Sequence, residues 1–147
     1  MNILDMIIQV ITALVGTFGF GILFNIRGKK LFLGALGGMV SWLLFLLLGF
    51  LIENEALRYF IVSIFSTIYA EILARVLKTP AASFSIITLI PLIPGSALYD
   101  TASFAMSGNL ENLIPKFVST VELTVALSLG IVIVTAIFRH LPKKRNP

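Results

Sequence analysis

The sequence contains no cysteine and only one histidine, His140. Without cysteine the chain can form no disulfide, bind no metal through thiolates and use no cysteine nucleophile. A lone histidine cannot supply a histidine metal cluster, and no residue pattern places a nucleophile beside a base and an orienting group. We therefore expect no metal, no other cofactor and no enzymatic activity.

Charge is also scarce in this chain. Charged residues make up 12% of the 147 residues, hydrophobic residues make up 58%, and the mean hydropathy is +1.02. This composition lies outside the range of soluble domains. The net charge of +4 does not indicate nucleic-acid binding, because the basic residues form short clusters between apolar runs. We expect an integral membrane protein that contacts the lipid bilayer and no nucleic acid.

Five apolar runs are long enough to cross a bilayer, whose hydrocarbon core of roughly 30 Å needs about 20 helical residues. The runs cover about 3–24, 31–52, 57–76, 81–106 and 117–138. A spanning segment must satisfy its backbone hydrogen bonds internally, so all five are predicted as helices. The N-terminus lacks the pattern of a cleaved secretory signal, and we expect the first run to remain as a span. The prediction is a single all-α transmembrane domain, 1–147, built as a bundle of about five helices.

Lysine and arginine are unevenly distributed between alternate connections, which predicts the orientation. With the N-terminus outside, nine basic residues lie on the cytoplasmic side, and only Arg58 and Lys116 lie outside. The nine are Arg27, Lys29, Lys30, Arg75, Lys78, Arg139, Lys143, Lys144 and Arg145. A cytoplasmic C-terminus follows. The alternative is that the fourth run only dips into the membrane, which leaves four spans and puts the basic tail outside, against the positive-inside rule.

The fourth run carries two prolines and a glycine near its middle, Pro91, Pro94 and Gly95. A proline inside a helix removes a backbone donor and clashes with the preceding turn, at a cost of about 3 kcal/mol. We therefore predict that this helix is broken. Broken helices at membrane depth usually line a cavity, which favours a functional role, although a packing kink is the simpler alternative.

Two further prolines are expected where helices begin. Thr79 and Pro80 read as an N-cap followed by the first helical residue. Pro115 is expected to mark the start of the last helix in the same way.

Three acidic residues lie within or at the edge of the predicted spans, where a charge is costly and normally faces a partner or a watery path. Glu71 precedes Arg75 by four residues, the favoured order for a helical ion pair, so structural pairing and proton coupling are both open. Glu122 can reach the outer headgroups. Asp100 has no local basic partner and is the best candidate for binding substrate or exchanging a proton.

Gly34 and Gly38 form a GxxxG pattern in the second run. Small residues at this spacing allow helices to approach closely in membranes. We expect them to serve helix packing, within the bundle or with a partner subunit.

Three segments together resemble the smaller half of the threonine/serine exporter family. They are 24–31 (FNIRGKKL), 79–84 (TPAASF) and 90–99 (IPLIPGSALY). In order, spacing and hydropathy the resemblance covers nearly the whole chain. It implies a subunit of a bacterial inner-membrane exporter that works in an oligomer with a separately encoded, larger membrane subunit of the same family.

The resemblance also implies function. Members export threonine and serine, related two-component systems export dicarboxylates such as succinate, and the proton gradient supplies the energy. The matching motif positions Pro80, Pro91, Pro94, Gly95 and Tyr99 are then expected to be pathway or hinge residues. Ser96 joins them because the break should present free backbone groups up to that residue. Two other classes stay open, an uncoupled channel component and a non-transporting assembly or scaffold subunit.

Overall fold

The computed structural model describes residues 2–140, and within them the chain forms six α-helices and no strand. The helices are α1 (Ile3–Leu23), α2 (Lys29–Leu48), α3 (Glu55–Val76), α4 (Ala81–Leu89), α5 (Gly95–Met106) and α6 (Leu110–His140), with a 3₁₀ turn at Ile90–Leu92. The predicted all-α membrane bundle is confirmed. Part of the predicted basic tail, Lys143, Lys144 and Arg145, lies outside the described residues.

The bundle has two ends that differ in charge. The basic end is where α1 and α3 end and α2 and α4 begin, and it carries Arg27, Lys30, Arg75, Lys78 and Arg139. The far end is the opposite one, where α2 ends and α3 begins, and it carries Glu53, Asn54 and Glu55. The Asn54 side chain caps α3 by accepting a hydrogen bond of 2.9 Å from the Leu57 N–H.

Glycines on α2 bring three neighbouring helices close to its backbone. An added Cβ at Gly34 would overlap the Ile87 side chain of α4. At Gly37 it would overlap the Tyr69 ring of α3 and lie 2.6 Å from Cγ2 of Thr88 on α4. At Gly38 it would overlap Thr17 of α1. Thus α2 is the central helix, and α1, α3 and α4 pack against its glycine face.

Helices α3 and α6 run parallel, and this direction determines the course of the chain that connects them. Arg75 in the last turn of α3 donates a 2.7 Å hydrogen bond to the carbonyl of Phe138, near the end of α6. Further back along both helices, Ser63 contacts Gly130. Contacts in the same order along two helices require the same direction, so the chain must return to the far end between α3 and α6. A segment that only dips in and comes back cannot do this, so α4 and α5 together cross the bundle.

The last helix begins earlier than the sequence predicted. Helix α6 starts at Leu110, and Pro115 lies inside it instead of marking its start. The Asn109 side chain accepts a hydrogen bond from the Asn112 N–H at 3.3 Å, which supplies a cap. Pro115 removes one bond to the exposed Glu111 carbonyl, which solvent or headgroups can satisfy. At the other predicted start, Pro80 is the N-cap of α4 and not its first residue.

Candidate functional site

The fourth predicted run is broken, as the sequence predicted. The segments Ala81–Leu92 and Gly95–Met106 meet at an angle of 63°. Ile93, between them, is extended (φ −64°, ψ 122°), the conformation favoured because the ring of the following Pro94 disfavours the helical region for it. Pro94 is therefore the residue that breaks the helix, whereas Pro91 is accommodated in the 3₁₀ turn.

The break leaves backbone polar groups of both half-helices without ordinary helical partners. Pro91 has no N–H to donate to the Ile87 carbonyl, four residues earlier. The N-terminus of α5, at Pro94, carries no side-chain cap. The Gly95 N–H turns back to the Ile93 carbonyl at 2.7 Å. Carbonyl oxygens and the positive end of a helix dipole thus lie within a few residues of each other, so the break presents both hydrogen-bond acceptors and an electropositive helix end.

The break is held in place by apolar packing. Leu92 is fully buried and Ala97 nearly so, in a cluster with Phe45, Tyr59 and Leu123 from α2, α3 and α6. Because residues just before and just after the break are both anchored, the bend is set by the surrounding helices as well as by proline.

The other predicted site residues near the break differ in burial. Pro94 is buried and Pro91 half-buried, while Gly95 and Ser96 are exposed. Tyr99 is 74% exposed and points away from the bundle. A Cβ on Gly95 would meet open space, so the fold does not require glycine there.

Sequence reasoning missed a set of buried hydroxyls around one turn of α2. This hydroxyl cluster consists of Thr17, Ser41, Ser66 and Thr88, one from each of α1 to α4 and all fully buried. The Ser41 and Ser66 oxygens lie 2.7 Å apart, while Thr88 donates to its own helix at the Phe84 carbonyl, 2.9 Å away. Thr88 lies six residues before Pro94, so the cluster is within about two helical turns of the break. The sequence did contain a signal for this cluster, because each of the first four apolar runs includes a serine or a threonine.

Asp100 has a partner from a distant part of the sequence. Its carboxylate lies 2.9 Å from the Lys116 ammonium of α6, and the two side chains are 43% and 35% exposed. Nearby, Thr101 and Thr120 hydroxyls are 2.9 Å apart, and Thr120 also donates to the Ala97 carbonyl at 3.1 Å. Helix α5 is therefore fastened to α6 by polar contacts at the far end.

Glu71 and Arg75 do not form the ion pair that their spacing favoured. Within residues 2–140 the salt bridge of Asp100 is the one that forms, and Arg75 instead binds the Phe138 carbonyl and lies over its ring at 4.8 Å. Glu71 is half-buried toward the basic end, whereas Asp100 lies toward the far end. The two acidic candidates are thus not parts of one site.

Comparison with known proteins identifies a family for this chain. A family model described as Threonine/Serine exporter, ThrE, matches residues 9–137. The chain belongs to the threonine/serine exporter family. No curated protein and no solved structure gives a significant match.

Family membership makes this chain a multi-pass membrane protein and an exporter-type transporter subunit. The match includes the whole of α2 to α5 and most of α1 and α6. The break, the hydroxyl cluster and the Asp100–Lys116 pair all lie inside it. They are consequently features of the exporter domain itself and not of an added segment.

Proposed function

We propose that this chain is one half of a split secondary exporter that moves small carboxylate-bearing solutes, threonine and serine or dicarboxylates such as succinate, by alternating access. The observation that carries the proposal is the broken helix pair α4–α5. This pair carries the chain across the bundle from the end of α3 to the start of the parallel helix α6, and it bends by 63° at Pro94. The whole pair lies within the region that matches the exporter family.

The chemistry of the break suits such solutes. In secondary transporters, discontinuous helices near the bilayer centre direct N-terminal N–H groups at solute carboxylates and free carbonyls at cations. Here the uncapped start of α5 would bind the carboxylate, and the carbonyls at the end of α4 would face an ammonium group. The adjoining Thr88 hydroxyl could exchange its bond to the Phe84 carbonyl for one to the solute.

Orientation and location follow from charge. We place the basic end in the cytoplasm of a bacterial cell, because connections rich in lysine and arginine stay on that side. The N-terminus then lies outside the inner membrane. Solute loaded at the basic end would leave at the far end, where α5 and α6 meet.

A larger membrane subunit of the same family is the proposed partner. Only Thr17 and Gly21 of α1 are buried within this chain, so most of its apolar surface is open to lipid or to another subunit. A partner half that begins inside and ends outside would have the opposite orientation. Opposed halves around a shared site recur in secondary transporters.

Efflux from preloaded cells tests the proposal. Cells lacking their own exporters would be loaded with threonine, serine or succinate, and would express this chain alone, with its candidate partner, or neither. We expect efflux of at least one solute that requires both chains and stops when the proton gradient is collapsed.

Other outcomes would point to the rival functions. Efflux that ignores the proton gradient would indicate an uncoupled channel component. With both chains shown to be in the membrane, absence of efflux for all three solutes would favour a scaffold role.

The Asp100–Lys116 pair provides a sharper test within the same assay. We expect Asp100→Asn and Lys116→Gln each to lower efflux by roughly threefold to fivefold, because a partly exposed pair contributes up to about 1 kcal/mol. The exchanged variant, Asp100→Lys with Lys116→Asp, should recover most of the rate, since it keeps the contact between α5 and α6. If Asp100→Asn instead removes proton dependence and the exchange does not restore it, the Asp100 carboxylate is the coupling group.

A further inference from the structure

A second polar feature lies at the basic end, away from the break. A pocket of about 540 Å³ opens between the α1–α2 connection and the start of α4. Its polar lining comes from Asn25, Arg27 and Lys30 on one side and from Thr79 and Ser83 on the other. The pocket thus joins two segments, 24–31 and 79–84, that are far apart in sequence.

Both walls of the pocket are shaped by helix ends of the same type. At the end of α1, Asn25 has a positive φ of 57° and the Ile26 N–H donates to the Gly21 carbonyl at 2.9 Å. At the end of α3, Lys78 has a φ of 50° and the Thr79 N–H donates to the Ala74 carbonyl at 2.9 Å. These are Schellman-type caps, in which a left-handed residue closes the helix. Each connection is consequently held by its helix, and the pocket is preformed.

The pocket is electropositive, and no acidic side chain lines the part that the structure describes. Arg27 donates from Nε to the Asn25 amide oxygen at 3.0 Å, which fixes the guanidinium without neutralising it. Lys30 lies in the first turn of α2, where the helix dipole disfavours a cation. Within residues 2–140 neither residue forms an ion pair. Two cations, two hydroxyls and an amide therefore face one cavity, and no anionic side chain of residues 2–140 matches them there.

We propose that this pocket binds the carboxylate of the solute before it crosses, and so acts as the loading site of the chain. The inference rests on the proposed export function and names a site for it at the basic end. Ser83 lies eight residues before Pro91, about 12 Å along α4, so the same helix pair leads from the loading site to the break. The phosphate of a lipid headgroup has the same oxyanion chemistry, and the experiment separates the two sources.

The natural absence of cysteine allows a direct test on the full chain. A single cysteine would be introduced by Ser83→Cys, or by Thr79→Cys if the first variant folds poorly. The purified chain, in nanodiscs of neutral phosphatidylcholine, would be treated with an anionic methanethiosulfonate reagent and with its cationic counterpart. Ser107→Cys, exposed in the connection between α5 and α6 at the far end, is the control.

We expect the ratio of the anionic to the cationic reaction rate to be about tenfold higher at position 83 than at position 107, because a positive cavity concentrates anions. That difference should disappear when Arg27→Gln and Lys30→Gln are added. Succinate or threonine should slow the reaction, whereas threoninol, which lacks the carboxylate, should not.

Other results would contradict the loading site or the export function. A rate ratio at position 83 equal to that at position 107, with no protection by carboxylates, would overturn the site. Protection by phosphatidylglycerol in the nanodisc, with none by succinate or threonine, would assign the pocket to lipid and overturn the solute role. Efflux by the wild-type pair without protection at position 83 would reject only the loading site. Protection without efflux would support the site while the export function fails.

Discussion

Gly37→Ala should destabilise the protein by roughly 1–3 kcal/mol, although alanine is the better helix former. The added methyl group would overlap the Tyr69 ring and press on Thr88. The ring cannot move freely, because the Tyr69 hydroxyl donates to the Leu33 carbonyl at 2.7 Å. Thermal unfolding in detergent should show a melting temperature lower by about 3–10 °C.

Two other glycines serve as controls for this variant. Gly16 has no atom within 4 Å of the added Cβ, so Gly16→Ala should be neutral or stabilise α1 by up to about 1 kcal/mol. Gly34→Ala should fall between the two, since it meets mainly the flexible end of Ile87. A melting temperature for Gly37→Ala equal to that of Gly16→Ala would show that α2, α3 and α4 are not packed closely at this turn.

Pro94→Ala should lower efflux by about tenfold or more while the chain stays folded. Proline disfavours a continuous helix by about 3 kcal/mol. Its removal alone would therefore shift the equilibrium towards a straight helix by about a hundredfold, and the packing around the break opposes this shift. Ile93 would then be free to become helical, and the half-helix ends that we propose to bind solute would be lost. The packing of Leu92 and Ala97 resists this change and limits the effect.

Spin labels can report the break independently of transport. Labels on Ser85→Cys in α4 and Ser103→Cys in α5 would lie about 27 Å apart along a straight helix and closer in the bent one. We expect the distance to lengthen in Pro94→Ala. Pro115→Ala is the control, because α6 continues through Pro115 without a break, and its efflux should stay near that of the wild type. If Pro94→Ala lengthens the distance and leaves efflux unchanged, the break is not the transport site.

The membrane class and the position of the break could be read from the sequence. A run of about 20 apolar residues must be helical in lipid, since no other backbone arrangement in a single segment satisfies itself there. Pro94 lacks a donor and restricts Ile93, so a break near this residue could be predicted from covalent geometry, although α6 continues through Pro115 and packing also sets the bend. The helix boundaries were less predictable. For the start of α6 the sequence offers two signals, the Asn109 cap and Pro115, and the helix begins at the first of them.

The partners of the functional side chains were decided by the tertiary structure. Asp100 forms an ion pair with Lys116 of α6. Arg75 binds the Phe138 carbonyl near the end of α6 instead of pairing with Glu71. Local spacing favours a helical pair, but it carries no information about which helix lies alongside.

The sequence by itself thus determined that this is an all-helical membrane protein with a proline-broken fourth helix, since those properties depend on each segment and its solvent. Only the tertiary structure decided that α3 and α6 are parallel, that Gly37 is a contact point and that two distant basic and polar segments share one pocket. These features depend on side-chain packing between segments far apart in the chain, and hydrophobic periodicity does not encode which neighbours meet.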